Sequence, residues 1–208
     1  MKKCYIITSY IEGELSDIIS PDAADFIICA DGGYELASAF GVVPDLIIGD
    51  SDSGNMTPSP CEKPEVLIYP KEKDESDTFL CVKHAASLGF NEIVIAGGIG
   101  GRLDHTVSNI QTLAYFSDSV KSISMIDGKN FATILSNGCV KLSKKEGHKI
   151  SLFSLTNKSG GVTAAGLLYP LKDACLENTY PLGLSNEFVD NIAEIEVKSG
   201  KILIVMSK

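Results

Sequence analysis

The stretch PDLIIGDSDS, Pro44 to Ser53, carries the reading of the fold. Leu46, Ile47 and Ile48 run through Gly49 into two aspartates, Asp50 and Asp52, spaced i, i+2 with serines between and after. A short, continuously apolar run belongs to a strand covered on both faces, as in parallel sheets with helices on either side. In such sheets ligands bind in the crevice beyond the carboxyl ends of the strands. The acids stand at that end.

Outward from this strand, short apolar runs alternate with helical ones. CYIITS precedes a short helix, DFIICA precedes YELASAF, VLIYP precedes a helix over Asp77 to Leu88, and EIVIAG precedes one over Asp104 to Phe116, before SISMI. Alternation of this kind predicts a parallel α/β sheet. After about Asp127 the helical period disappears, and CVKLS, KISLFSL, GVTAAGLLY and the pair AEIEV/KILIV follow, rich in Val, Ile, Leu and Gly. Lys198-Ser199-Gly200 between the last two reads as a hairpin turn. The expected organisation is an α/β domain over residues 1–126 and a small all-β sandwich over 127–208.

The chain's 208 residues, 44% hydrophobic and 22% charged, bury a core without disulfides or metals as staples. A formal charge of −9 leaves no basic field for nucleic acid or anionic lipid, so an anionic ligand must be held locally. The six cysteines form no CxxC pair, and Cys29 and Cys81 lie in apolar runs, which predicts reduced, buried thiols. The opening MKKCYIITSY is too soon interrupted by polar residues for a signal peptide or membrane span and reads as a first strand of a cytoplasmic protein.

Two more strand exits carry acids: KEKDESD places Asp74, Glu75 and Asp77 at a helix start, and AGGIGGRLDH ends with Asp104. Capping explains one acid per helix. An acidic, solvated turn explains Asp50 and Asp52 as well as a metal site does. If the acids of three exits converge, each pair about 4 Å apart costs about 4 kcal/mol at an effective dielectric of roughly 20, and a cation such as Mg²⁺ is needed to hold them. The loop Gly97-Gly98-Ile99-Gly100-Gly101-Arg102 supplies an anion-binding half, through close backbone approach, a helix start and the chain's single arginine. GxGxxG, GxxxxGK[ST] and GxSxG are absent. His84 and His148 read as structural, and His105, next to Asp104, is the histidine placed to act.

CADGGYELASAFGVVPDLIIGDSDS, KEKDESDTFLCV, GGIGGRLDHTVSNIQ and GLLYPLKDACLENTYPLGLSNEF together resemble the thiamine pyrophosphokinase family in its bacterial form, over residues 29 to about 188. The resemblance implies an α/β domain followed by a β-sandwich, a homodimer with a shared active site, and transfer of the pyrophosphoryl group of ATP to the hydroxyethyl oxygen of thiamine with release of AMP. It puts Mg²⁺ on Asp50, Asp52, Asp77 and Asp104, with Asp104 either a ligand or the proton acceptor, and polyphosphate on Arg102. The nucleotide side falls on Asp31, Gly32 and Gly33 of the DGG turn, on Gly98, Gly100 and Gly101, and on His105. The thiamine side falls on Tyr169, Pro170, Leu171, Ser185 and Asn186, with Tyr169 as the stacking ring.

Three departures from the family pattern bear on the pockets: Ser51 for phenylalanine, Phe79 for glutamate and Glu177-Asn178 for Phe-Gly. Two other classes remain open to the residues alone. Asp50-Ser51-Asp52 is a DxD, as in metal-dependent nucleotide-sugar glycosyltransferases, and a sensor that binds nucleotide or thiamine diphosphate without turnover needs the same groups.

Overall fold

The computed structural model describes residues 2–23, 25–50 and 64–208. The chain divides into two compact units, Met1–Lys129 and Asn130–Lys208.

In the first unit the apolar runs become β1 (Lys3–Ile7), β2 (Phe26–Ala30), β3 (Leu46–Asp50), β4 (Glu65–Tyr69), β5 (Glu92–Ala96) and β6 (Ser122–Ile126). They pair in parallel in the order β6-β5-β1-β2-β3-β4, with Ile6 opposite both Ile28 and Ile95. Among the described residues, four helices connect them: α1 (Leu15–Ile18), α2 (Gly33–Ala39), α3 (Asp77–Ser87) and α4 (Leu103–Phe116). Successive strand residues point to opposite faces. Tyr5, Ile7, Cys29 and Ile47 meet Leu15 of α1 and Tyr34 and Ala37 of α2. Cys4, Ile6, Ile28 and Ile48, equally buried, face the other way, and α3 packs across β1, β2 and β3. Burial of each such isoleucine stabilises by about 2 kcal/mol.

α3 begins where Ser76 Oγ accepts a hydrogen bond from the Phe79 amide at 3.2 Å, a cap that contributes about 1 kcal/mol. Phe79, which stands where the resemblance expects glutamate, packs its ring 5.2 Å from Tyr115 and 5.0 Å from Phe116 of α4. That departure therefore builds the α3–α4 contact.

The second unit is antiparallel: β7 (Asn130–Ser143), β8 (Lys149–Ser154), β9 (Lys158–Ala165), β10 (Leu171–Glu177), β11 (Gly183–Asn186) and β12 (Ile192–Ser207). The expected hairpin at Lys198-Ser199-Gly200 is corrected. β12 runs through that triplet as one strand, pairing with β7 on both sides of it, from Ile192 opposite Ser143 to Ser207 opposite Asn130. The register shifts between Val197, opposite Gly138, and Lys201, opposite Ser136, which marks a bulge. Gly200 makes it at φ +96°, and a Cβ there would stand 2.7 Å from Thr156 Oγ1. Before the bulge β12 pairs with β9, and after it with β8. Its two halves thus wall a single core, in which Ile195 and Val197 meet Ile202, Ile204, Ile150 and Val162.

All five described cysteines are free thiols; Cys4, Cys29 and Cys81 are buried, whereas Cys139 and Cys175 are exposed. Cys61 lies outside the described residues. Burial pushes Cys29 from an ordinary 9.0 up to about 12. Cys4 is likewise pushed to about 12, by burial first and then by the charge of Asp45. Cys81 is raised by burial as well. The native state holds these protons more tightly than the unfolded chain, so their contribution is complete below the ordinary thiol range and is lost as pH rises toward the folded value. The urea midpoint is expected to fall between about pH 8 and about pH 10, and to fall less steeply in Cys29→Ala; equal slopes would remove the thiols as the cause.

Candidate functional site

The strand order reverses its direction of growth between β1 and β5, and a crevice opens beyond the carboxyl ends at such a point. A cleft of about 620 Å³ lies there, lined from the exits of β1 to β5.

Its floor is backbone packed on backbone. The Thr8 hydroxyl donates to the carbonyls of Ala96 at 3.2 Å and Tyr10 at 3.1 Å, tying the exit of β1 to that of β5. The Gly98 amide donates to the same Tyr10 carbonyl at 2.7 Å. Gly97 has φ +89°, and a Cβ on it would stand 2.2 Å from that oxygen. Buried Asn109 of α4 donates from Nδ2 to the Gly98 carbonyl at 3.0 Å, and the Gly100 amide donates to Thr106 Oγ1 at 3.0 Å. Two amides expected to cradle phosphate, those of Gly98 and Gly100, are therefore committed within the chain. The start of α4 and the cations Lys71, Lys73 and Arg102 also face the cleft.

Of the DGG turn, Asp31 lines the cleft. It sits at φ +49°, a left-handed conformation that aspartate tolerates better than most residues, and its amide donates to Ile48 O at 2.7 Å. Gly32 and Gly33 do not line it. Gly33 admits α2 against β1, since a Cβ there would stand 2.1 Å from the Ile7 carbonyl oxygen, and Gly32 is the residue before the helix.

Asp50 ends β3 and lines the cleft; Asp52 lies outside the described residues. The exit of β4 contributes Lys71, Lys73, Glu75 and Asp77. Lys73 Nζ stands 3.0 Å from Asp77 Oδ1, with the two side chains only 12% and 24% exposed. The separation is that of an ion pair, but Asp77 Oδ1 accepts no well-directed hydrogen bond among the described residues although it is buried. Among those residues, that oxygen is held by the charge of Lys73 alone.

Arg102 and His105 also line the cleft, and Asp104 does not. Arg102 grips Asp104 in a fork, Nη2 to Oδ2 at 2.5 Å and Nε to Oδ1 at 3.2 Å. The hydrogen bond from Arg102 is the main cause that holds the Asp104 carboxyl below the ordinary carboxylate range, and the same bond raises Arg102. The expected convergence is thus divided: Asp31, Asp50 and Asp77 reach the cleft, and Asp104 is turned onto the arginine. Among the described residues, no three His, Cys, Asp or Glu side chains group closely enough to hold a metal by themselves. Magnesium asks for less, one or two carboxylates completed by phosphate oxygens and water, and Asp50 with the unsatisfied Asp77 fits that demand.

In the second unit, Asn186 braces its own loop. Its Oδ1 accepts from the Tyr169 amide at 3.0 Å and its Nδ2 donates to the Tyr169 carbonyl at 2.7 Å, which leaves the Tyr169 ring exposed. Ser185 sits at φ +57° with its amide donating to Ser151 Oγ at 2.9 Å. Pro170 is exposed, and Leu171 opens β10 opposite Ala164.

Four further residues line the cleft. Lys71 and Lys73 lie in KEKDESDTFLCV and Asn109 in GGIGGRLDHTVSNIQ, stretches that carry the resemblance without singling these residues out. Tyr10, after TS at the end of β1, has no sequence signal at all.

Residues 20–125 match the family model described as thiamin pyrophosphokinase, catalytic domain, and residues 139–202 match thiamin pyrophosphokinase, vitamin B1 binding domain. The chain is 27% identical over 218 residues to thiamin pyrophosphokinase 1 of Caenorhabditis elegans, across 97% of this chain and 88% of that protein. It is 28% identical over 171 residues to thiamine pyrophosphokinase of Bacillus subtilis, across 80% of each. The crystal structure of the Bacillus subtilis thiamine pyrophosphokinase superposes with a TM-score of 0.89 at 25% identity, covering 100% of this chain and 99% of that one. The thiamin pyrophosphokinase of Geobacillus thermodenitrificans shares the fold at a TM-score of 0.85 and 21% identity, over 99% and 97% of the two chains. With the catalytic-domain model lying over half of the sequence and taking in the exits of β2, β3, β4 and β5, the chain belongs to the thiamin pyrophosphokinase family.

Proposed function

We propose that the chain moves the pyrophosphoryl group of ATP to the hydroxyl of thiamine, giving thiamine diphosphate and AMP. The observation that carries this reading is the pairing of the two matches: the catalytic-domain model falls on the unit with the cleft, and the vitamin B1 binding model on the other. Neither a sugar transferase nor a ligand sensor gains support from the comparisons.

In the reaction the alcohol oxygen attacks the β-phosphorus of ATP, the bond from that phosphorus to the oxygen it shares with the α-phosphate breaks, and the hydroxyl proton is lost. Positioning and charge neutralisation do most of the work in such transfers. Lys71, Lys73 and Arg102 take polyphosphate oxygens, and the positive end of α4 adds its field. Asp50 and Asp77 would hold Mg²⁺, with Asp52 a third candidate, and when bound the ion would neutralise polyphosphate charge. Lys73 offsets the charge of Asp77. Asp104 acts as the partner that aims Arg102, through the fork it forms with the guanidinium.

Tyr169, Pro170, Leu171 and Ser185 form the thiamine side, with Asn186 as the brace of that loop. The active form is a homodimer whose two sites each draw on both protomers. The setting is the cytoplasm, where thiols stay reduced. No helix among the described residues is long and apolar enough to cross a membrane.

With ATP, Mg²⁺ and thiamine, the purified chain is expected to release AMP and thiamine diphosphate in equal amounts, and no AMP without thiamine; ADP in place of AMP would overturn pyrophosphoryl transfer. Asp77→Asn should keep the fold, read by circular dichroism, and lose about a hundredfold in kcat or more. Turnover near that of the unaltered chain would remove Asp77 from the site. For the shared site, Asp77→Asn and Tyr169→Ala chains, each impaired alone, should regain about a quarter of full activity after unfolding and refolding together, since half of the dimers are mixed and one of their two sites is intact. Absence of recovery would place each site within one protomer.

A further inference from the structure

Tyr10 is unexplained by the roles given so far. It follows β1, is 44% exposed and lines the cleft. A Cβ on Gly101 would stand 3.1 Å from its Cδ2 and 3.3 Å from its Cγ and Cε2, and one on Gly100 would stand 3.2 Å from its Cε1. Both glycines therefore turn their bare Cα toward the ring, which packs against the glycine loop. The position is fixed from the main chain, because the Tyr10 carbonyl accepts from the Gly98 amide at 2.7 Å and from the Thr8 hydroxyl at 3.1 Å.

We infer that Tyr10 is a stacking platform for the nucleobase of the nucleotide donor, and that Gly100 and Gly101 are glycines because they seat this ring. The inference rests on the proposed function. Three features point to a base against this ring. An aromatic ring held rigidly by its backbone on one side offers a flat π-surface, which suits the faces of planar nitrogen heterocycles of any sequence or substituent. The same cleft carries the phosphate-seeking groups, Lys71, Lys73, Arg102 and the start of α4, and a nucleotide is the substrate that brings a heterocycle and a polyphosphate on one molecule. The other heterocycle of the reaction has a match of its own, the vitamin B1 binding model, on the second unit.

The chain contains no tryptophan, so Tyr10→Trp creates a single indole reporter at the platform. Its fluorescence is expected to be quenched saturably by ATP and by AMP, and left unchanged by inorganic tripolyphosphate or by thiamine. In parallel, Tyr10→Ala should raise KM for ATP by about tenfold with KM for thiamine little moved, and Tyr10→Phe, which keeps the ring, should restore it. Quenching by thiamine alone, equal quenching by tripolyphosphate, no quenching at ATP concentrations that saturate turnover of the tryptophan variant, or an unchanged KM for ATP in Tyr10→Ala would each overturn the platform. Turnover of the unaltered chain is measured alongside. Its absence would remove the functional reading itself, whereas normal turnover with a silent reporter would remove only the role of Tyr10.

Discussion

Contact between main chains at the strand exits is the constraint on which the site depends. The Cα of Gly33 lies so near the Ile7 carbonyl that a Cβ would stand 2.1 Å from its oxygen, and at Gly97 the corresponding distance to the Tyr10 oxygen is 2.2 Å. No side chain fits in either gap. Because these two positions are glycine, α2 begins directly against the end of β1, and the loop after β5 closes onto the loop after β1. Thr8 and Asn109 then lock that junction with hydrogen bonds that leave no slack in the floor of the cleft. The walls follow: Asp31 from β2, Asp50 from β3 and the Lys71 to Asp77 segment from β4 all hang from strands in one parallel register.

Charge is arranged within this frame against the sign of the whole chain. A molecule with a formal charge of −9 repels a polyphosphate at long range, so its few cations must act at contact distance. Lys73 is the best placed, since it is nearly buried and already spends its charge on Asp77. A pair of this kind, partly sheltered from water, interacts more strongly than an exposed one. The Arg102–Asp104 fork is different. Both side chains are about two-thirds exposed or more, so the pair adds little stability, and what it contributes is the direction of the guanidinium.

The parallel half of the fold is legible in the residues because each strand is an apolar run with an abrupt polar end, and α3 starts at its own serine cap. The second half is less so. Lys198-Ser199-Gly200 has the composition of a turn, and nothing local reveals that β7 continues as partner on both sides and converts the turn into a bulge. Tertiary pairing overrides local turn chemistry there. The spacing of acids and the single arginine point to Asp50, Asp77 and Arg102, which line the cleft. The partners of Asp104 and Asn186, Arg102 for one and the Tyr169 main chain for the other, have no signal in their sequence positions. Gly100 has a reason invisible in sequence, the ring of Tyr10, since the residues that meet it lie 90 positions away.

The most direct test of the account is a crystal structure of the chain with Mg²⁺ and an ATP analogue whose α,β-bridge is methylene, so that the scissile link cannot break. The polyphosphate is expected to lie between Asp50, Asp77, Lys73 and the start of α4, with the metal on the aspartates and Lys73 moved from Asp77 to a phosphate oxygen. Polyphosphate bound outside this cleft, or Lys73 still paired with Asp77 and no metal beside it, would contradict it.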